Sequence, residues 1–598
     1  MTEYKWKYNT PDPFVLAEYN NHHTYDILST VLANRGLNYN EYLEIQNKFF
    51  PNVYNYCDKI VNLKTAAERI LKYLLNKKIQ IHIFTDYDSD GMTSLATALK
   101  VWLNVRRYHY PKDWIYLPEI KYYAPERSMG YGLNINWCEE LTDLVKNDNY
   151  DHVVICFDNG VTKKDEIKYL HDNNIEVIVI DHHEPEEILP DCLIVDPKKD
   201  IERFGEELCA AGLSWLLSVQ LFRLIQDENP NDKYVNYYIG QAIKEALPNA
   251  AIGTIADMMN MTVLNLSLVY HGLKIINDTS RNYHLIWDYL TDCFNLKEVT
   301  SKDIGFSIGA AINACGQLES INTAIKFIHP DLSNKTQEAE DVYELYSVSR
   351  DLTKEQKKFI DEDIKNNNLF ETDNFCIYVI SECPGGILGK LANHISNTTG
   401  KPTIVVKDNE SDEMSGSGRC PNPTLDLLGL LQPYVGSLIK KANGHKAACG
   451  VTVYKSYLNE LRSKLNNDIQ NLYNSGAAEP FSVSVLNIDK KLDISDINLN
   501  NYKQINLMPY SMNFPQPVFA INGDLIKVKE SKNNPNNICY TVRDKNNKEQ
   551  LDIWAWNIKP QLYKATDSKD IWLAGSLTRN FMNQNKITLD IIDIKFGG

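Results

Sequence analysis

The sequence predicts an α/β protein of several domains: a parallel-sheet domain, a smaller α/β domain joined to it by a long helix, and a small β-barrel at the C-terminus. Three observations predict it. Between residues 79 and 195, short, β-branched, nearly continuous apolar runs alternate with helix-like stretches, the pattern of a parallel sheet covered on both faces. A charged helical stretch at 344–367, ELYSVSRDLTKEQKKFIDEDIKNN, is long enough to connect two lobes. Five strand-like segments with short polar turns and almost no helix close the chain, which suits a barrel of the OB type.

In chain order, residues 1–77 read as a mostly helical segment, with periodic apolar positions in YDILSTVLANRGLNYNEYLEIQNKFF and AAERILKYLLNKK. Residues 78–340 form the sheet domain. Its strands are IQIHIF (79–84), HVVICF (152–157), IEVIVI (175–180) and CLIV (192–195), and helices return over 207–330. Residues 341–369 are the connecting helix. A second α/β unit spans 370–475, with NFCIYVIS, KPTIVVKD and KAACGVTVY as strands. Residues 476–598 are a linker and the barrel, whose strands are DLIKVKES, NICYTVRD, EQLDIWAW, DIWLAGSLTR and KITLDIIDIKF.

The totals narrow the class. With 598 residues the chain is too long for one core. A composition of 43% hydrophobic and 23% charged residues is that of a folded protein. No apolar run approaches the roughly 20 residues needed to span a bilayer, and MTEYKWKYNT lacks the pattern of a secretory signal. Twelve cysteines without a CxxC pair argue against a zinc ribbon or a disulfide framework. The expected compartment is therefore a reducing cytoplasm. A net charge of −16, from 62 basic and 78 acidic residues, lowers the odds of a nucleic-acid binder without excluding a locally basic groove.

Each predicted strand of the first domain ends in polar chemistry: TDYDSDG, DNG, DHHEP and DPKK. In open α/β sheets the site lies off the carboxyl ends of the strands, so four strand ends converge on one place. Asp86, Asp88 and Asp90 occupy alternate positions, and carboxylates that close need a cation among them. Asp88, Asp90, Asp158, His182 and Asp257 form a hard, oxygen-dominated ligand set suited to Mn²⁺ or Mg²⁺. A shared carboxylate bridging two ions about 3.5–4 Å apart suits in-line attack on a phosphoryl group. Gly91 fits a helix start close to phosphate. Each motif alone has a plainer reading. A lone aspartate after a strand is most often a turn or cap, which also fits Asp86, and FDNG is a turn signal. Asp257 differs, because it lies in an apolar helical context where an unpaired carboxylate is costly.

DYDSDG, DNG, DHH and GTIAD, in this order, resemble the signature of the DHH phosphoesterase superfamily. RGLNYNEYLEIQNKFFP, APERSMGYGL (124–133), GGILGKLANHI (385–395), SGSGR (415–419), NGHKAACG (443–450) and LMPYSMNFPQPVF narrow the resemblance to the RecJ family of single-strand-specific exonucleases, over essentially the whole chain. The resemblance implies that Asp88, Asp90, Asp158, His182 and Asp257 hold two divalent ions, with Asp86 as a further ligand or a partner of one. His183 would contact or orient the scissile phosphate. Arg127, Ser417 and Arg419 would meet phosphates near the 5′ end, and His445 would face the cleft. Blindly chosen arginines are ordinary surface residues; the matched motifs reverse that for Arg127 and Arg419.

The chain departs from the family pattern at three places. GAAINACGQL (309–318) has Ala311 and Gln317 where the family carries arginines, which predicts weaker strand binding and a flatter salt dependence unless something compensates. Phe84 stands where some members place a liganding histidine, a role left to Asp86, and Asn443 replaces a glycine. Trp554, Trp556, Trp572, Tyr540 and Phe581 read equally as barrel core or as base-stacking surface.

The expected function is metal-dependent 5′→3′ degradation of single-stranded DNA to mononucleotides in repair and recombination. The expected enzyme is a monomer, with a helicase or single-stranded-DNA-binding protein as partner by resemblance alone. The alternatives are a phosphodiesterase for short oligonucleotides or cyclic dinucleotides, and a silent scaffold in a replication or repair assembly.

Overall fold

The computed structural model describes residues 4–22, 26–330, 334–409, 411–480, 484–506, 508–531, 537–545, 549–556, 570–580 and 586–597. The chain begins, against the helical expectation, with a strand, β1 (Tyr4–Tyr8), which pairs in parallel with β12 (Ser484–Ile488). Its partner lies some 480 positions away, a contact that no local pattern encodes. Helices follow, but they serve two cores. Leu63, Ile70 and Leu74 join the core of the sheet domain, whereas Ile27 and Val31 pack with the C-terminal barrel. Arg35 closes this junction through a buried pair with Asp489, Nη1 to Oδ1 2.9 Å.

The first sheet has the order β3 (Lys121–Tyr123), β2 (Ile79–Thr85), β4 (Asp151–Phe157), β5 (Glu176–Ile180), β6 (Leu193–Val195), and every pairing is parallel. Apolar runs make it because both faces are covered. Ile81, Ile83, Ile155 and Ile178 face one core; Phe84, Val154, Cys156, Val177 and Val179 face the other. The short edge strand β3 has too few apolar residues to stand out in the sequence.

The helix Lys335–Asn367 leaves this domain and enters the second lobe. Ala339 and Val342 are buried in the first core, and Ile360 in the second lobe's. That lobe is a mixed sheet in the order β10 (Ile439–His445), β11 (Ala448–Tyr454), β9 (Glu413–Arg419), β8 (Thr403–Lys407), β7 (Cys376–Ile380). β9 and β10 carry glycine-rich motifs and lack a strand-like apolar pattern. Gly418 is required in β9, since a Cβ there would lie 2.8 Å from Cys449 Sγ.

The C-terminal sheet runs β16 (Gln550–Ala555), β15 (Ile538–Arg543), β14 (Phe519–Glu530), β17 (Asp570–Arg579), β18 (Ile587–Phe596), all antiparallel, with the short β13 (Lys490–Lys491) added to β14. The sheet curls until its ends meet: Thr588 Oγ1 on β18 donates to the Asp552 carbonyl on β16 at 3.4 Å. The aromatic residues divide. Tyr540 is core, Trp554 and Trp556 stack with centroids 5.6 Å apart, and Lys491 covers Trp572. Phe581 lies outside the described residues.

Candidate metal centre

The acidic residues of the centre sit at or beside the ends of regular elements. Asp86 follows β2 and Asp158 follows β4; Asp181, His182 and His183 follow β5, and Asp196 follows β6. Asp88 caps the helix Ser89–His109, its Oδ1 accepting from the amides of Asp90 (2.9 Å) and Gly91 (3.1 Å). Asp90 is anchored by the start of the helix Ala210–Glu228: Oδ2 accepts from Ala210 N at 2.7 Å and Oδ1 from Ala211 N at 2.9 Å. Asp257 ends the helix Gln241–Ala256. Asp158 holds the left-handed conformation, φ 61°, one that aspartate and asparagine tolerate better than most residues.

These residues meet. Nε2 of His182 is 3.2 Å from Asp158 Oδ1, 3.6 Å from Asp90 Oδ2 and 3.8 Å from Asp257 Oδ2. Asp86, Asp88 and Asp158 offer oxygens within 4.8 Å of one another, as do the donor atoms of Asp90, His182 and Asp257. The two groups share no residue, and a third, Asp158, His182 and His183, overlaps both.

Electrostatics fit a cation. Asp86, Asp90 and Asp158 are almost fully buried, and no lysine or arginine pairs with any of the five carboxylates among the described residues. Burial, followed by the neighbouring carboxylates, pushes Asp86, Asp158 and Asp257 well above the usual carboxylate range and Asp90 to about 6. Burial and the charge of His183 depress His182 to about 3, so its imidazole is neutral and able to ligate. Asp86 Oδ2 and Asp158 Oδ2 are buried without a hydrogen-bond partner. A divalent ion is the ligand such atoms lack.

His183 is built differently. Burial works against its protonation, but its hydrogen bond to Asp181 prevails and raises it to about 9. Its Nδ1 donates to Asp181 Oδ1 (2.8 Å) and its Nε2 lies 2.8 Å from Tyr131 Oη, whose hydroxyl donates to the Asp158 carbonyl at 2.7 Å. Its side chain is 39% exposed, so a cationic imidazolium borders the centre instead of filling it. Sequence reasoning passed over Asp181 and Tyr131 as site residues, although both lie inside quoted motifs. Asp196, at the fourth strand end, falls outside the ligand groups and accepts from Lys198 N at 2.8 Å.

Gly91 is required by the chain itself: a Cβ there would lie 2.5 Å from the Asp86 carbonyl. Phe84 points to the opposite face of the sheet, 4.6 Å from Trp137. Asp86 is the residue of that strand end that reaches the centre.

Of the predicted substrate residues, Arg127 lies in the first domain, and Ser417, Arg419 and His445 lie in the second lobe. Arg127 lies over the Tyr87 ring at 5.4 Å. Ser417 and Arg419 lie on β9, and Arg419 pairs in register with Ala448, which in turn pairs with His445 on β10. That row places Arg419 and His445 on one face of the sheet. Ala311 is fully buried, so an arginine there would have no room. Gln317 Oε1 accepts from Lys390 Nζ at 2.8 Å and from Ser349 Oγ at 3.0 Å.

Comparison with known proteins agrees with this architecture. Family models match residues 80–243 (DHH family, N-terminal domain), 372–471 (DHHA1 domain) and 488–593 (RecJ OB domain). The single-stranded-DNA-specific exonuclease RecJ of Bacillus subtilis (strain 168) is 25% identical over 596 residues, covering 97% of this chain and 69% of that protein. The RecJ of Haemophilus influenzae is 25% identical over 571 residues, covering 91% of each. The crystal structure of RecJ in complex with Mn²⁺ from Thermus thermophilus superposes with a TM-score of 0.77 at 19% identity, covering 100% of this chain and 80% of that one. A Mg²⁺ complex of the same protein gives 0.70 at 17% identity, with coverages of 100% and 79%. At such identity these two structures establish the fold.

Proposed function

From the premise that this chain, with its DHH, DHHA1 and RecJ OB domains in order, belongs to the RecJ family of the DHH superfamily, we propose that it degrades single-stranded DNA from the 5′ end to mononucleotides. The observation that carries the reading is the meeting of Asp86, Asp88, Asp90, Asp158, His182 and Asp257 in one cluster.

Asp86, Asp88 and Asp158 would hold one divalent ion, and Asp90, His182 and Asp257 the other. When bound, Mn²⁺ or Mg²⁺ supplies an activated water and stabilises negative charge on the phosphorus. The protein's own groups do the rest. Buried backbone amides fix Asp88 and Asp90, so ligand geometry costs no reorganisation when the strand arrives. His183, held protonated by Asp181 and bonded through its other nitrogen to Tyr131, sets a positive charge beside the phosphate. Arg127, Ser417 and Arg419 seat the phosphates near the 5′ end, and His445 lies beside Arg419 along the same row.

The cleft lies between two lobes and favours a single strand over a duplex, while the barrel extends the path of the strand. A phosphodiesterase for dinucleotides would have little use for that barrel. The reading further includes a monomeric enzyme in the cytoplasm, serving repair and recombination. Its substrate is a separated strand, so a helicase or a single-stranded-DNA-binding protein is the working neighbour. No helix among the described residues is long and apolar enough to cross a membrane.

Digestion of single-stranded DNA labelled at either end, in Mn²⁺, tests the reading. Mononucleotides released first from the 5′ end are expected. Exclusive hydrolysis of dinucleotides, or attack from the 3′ end, would refute it.

A further inference from the structure

Lys390 is a cation without an anionic partner among the described residues. It lies on the helix Leu388–Thr399, at the face of the second lobe that meets the first. Its ammonium has three protons to donate. Two are directed to neutral acceptors, Gln317 Oε1 at 2.8 Å and Ser349 Oγ at 3.2 Å, on helices of the opposite side of the junction. The charge and the third donor meet no carboxylate among the described residues. Burial and the nearby Lys357 lower its pKa, as expected of a half-buried cation left uncompensated.

Two further cations without carboxylate partners among the described residues lie at the same junction. A Cβ on Gly389, the residue before Lys390, would lie 2.7 Å from Arg419 Nη2 and 3.7 Å from Ser417 Oγ, so the guanidinium rests against the start of this helix. Arg419 donates to the Gly418 carbonyl (2.7 Å) and to no carboxylate among the described residues, and it is close enough to Arg127 to feel its charge. Arg127 in turn covers Tyr87, and a Cβ on Gly316 would touch the Tyr87 carbonyl at 2.7 Å. Gln317 follows directly. Lys390 and Arg419 therefore lie on adjoining parts of one junction, with Arg127 close to Arg419. In a chain of net charge −16, cations without carboxylates among the described residues at such a junction form a seat for an external anion.

We propose that Lys390 is a substrate-binding residue that contacts the phosphate at the 5′ end of the strand and replaces the positive charge that Gln317 lacks. An arginine at 317 and a lysine at 390 would place two cations at one spot. Glutamine instead accepts from the ammonium and aims it. The charge has moved across the junction, and the predicted weakening of strand binding does not follow. This assignment rests on the nuclease reading above, and the following test separates the two.

The test uses the full chain and a short single-stranded oligonucleotide labelled at its 3′ end, carrying either a 5′ phosphate or a 5′ hydroxyl. Binding is followed by fluorescence anisotropy in Ca²⁺ over a salt series, and cleavage in Mn²⁺. Lys390→Gln keeps a polar group for Gln317 and Ser349 but removes the charge. It is expected to weaken binding of the 5′-phosphorylated strand about tenfold, as for loss of one charged hydrogen bond. The loss should be smaller on the hydroxyl strand, and the salt slope should fall by about 0.7. Lys390→Arg, and Gln317→Arg added to Lys390→Gln, are expected to recover affinity. Unchanged affinity and slope in Lys390→Gln, or an equal loss on both strands, would overturn the assignment. So would a loss that neither arginine variant recovers, which would make Lys390 a strap between lobes. If the wild-type chain shows the phosphate preference but cuts neither strand, the nuclease reading falls and the phosphate seat stands. If it binds neither strand, both fall.

Discussion

Asp181 Oδ1 accepts the Nδ1 proton of His183 at 2.8 Å and also the amide of His182 at 2.8 Å, while its Oδ2 accepts from Val161 N at 2.9 Å. One carboxylate that reaches no ion thus sets the loop carrying both histidines. Despite its burial, the hydrogen bond to His183 and the charge of that imidazolium, with the amide bonds, hold Asp181 down to about 2.

Asp181→Asn should therefore preserve the ions and lose the orientation of His183. Loss of a residue supporting an ion site typically lowers activity about 10–100-fold. The expected result is a kcat drop of that size with bound Mn²⁺ unchanged by elemental analysis. Loss of Mn²⁺ would instead make Asp181 a ligand.

Asp158→Asn should abolish cleavage and ion binding while the fold survives. Asparagine tolerates the left-handed φ of 61°, and removing one of several crowded negative charges relieves repulsion. Alanine at that φ would add a backbone cost of about 1–2 kcal/mol. Circular dichroism and melting temperature near those of the wild type, with cleavage at background, are expected for Asp158→Asn.

The pH dependence of stability has a defined sign. Asp90 titrates at about 6 in the folded ion-free protein, against an ordinary value of 3.8, and Asp86, Asp158 and Asp257 are likewise raised. A raised folded pKa contributes stability below the unfolded value that is lost as pH rises through the folded one. The ion-free protein should accordingly lose stability from this cluster as pH climbs from about 4 through 6 and above. A divalent ion must displace these protons, so its affinity rises over the same window. At an ion concentration of about 100 Kd the stabilisation is about 2.7 kcal/mol. Thermal melts with Mn²⁺ and with EDTA should differ more at pH 8 than at pH 5, and a difference that grows towards acid would contradict the site.

Gly253 opens the GTIAD motif. A Cβ there would lie 2.5 Å from both Asp90 Oδ1 and Ala211 Cβ. Gly253→Ala should cost about 1–3 kcal/mol as overpacking and weaken Mn²⁺ binding by displacing Asp90, measured by denaturant unfolding and by ion titration.

Much of the site was legible because its chemistry is local. The parallel strands announce themselves as apolar runs, and a carboxylate that follows such a run falls at the strand's carboxyl end, where a parallel sheet collects ligands. Asp86, Asp158 and His182 could be placed from that alone, and the alternation of Asp86, Asp88 and Asp90 already called for a cation. The glycine-rich β9 and β10 were not legible as strands, because their pairing depends on neighbours that demand the absence of side chains.

The order of elements, the class of the fold and the kinds of donor at the centre are all written in local patterns of residues. The pairing of β1 with β12 and the reach of Lys390 to Gln317 arise only when distant parts of the chain pack together. The physical reason is distance along the chain: strand and helix patterns repeat over a few residues, whereas a cation's partner is whatever side chain the packing of two lobes brings within about 3 Å.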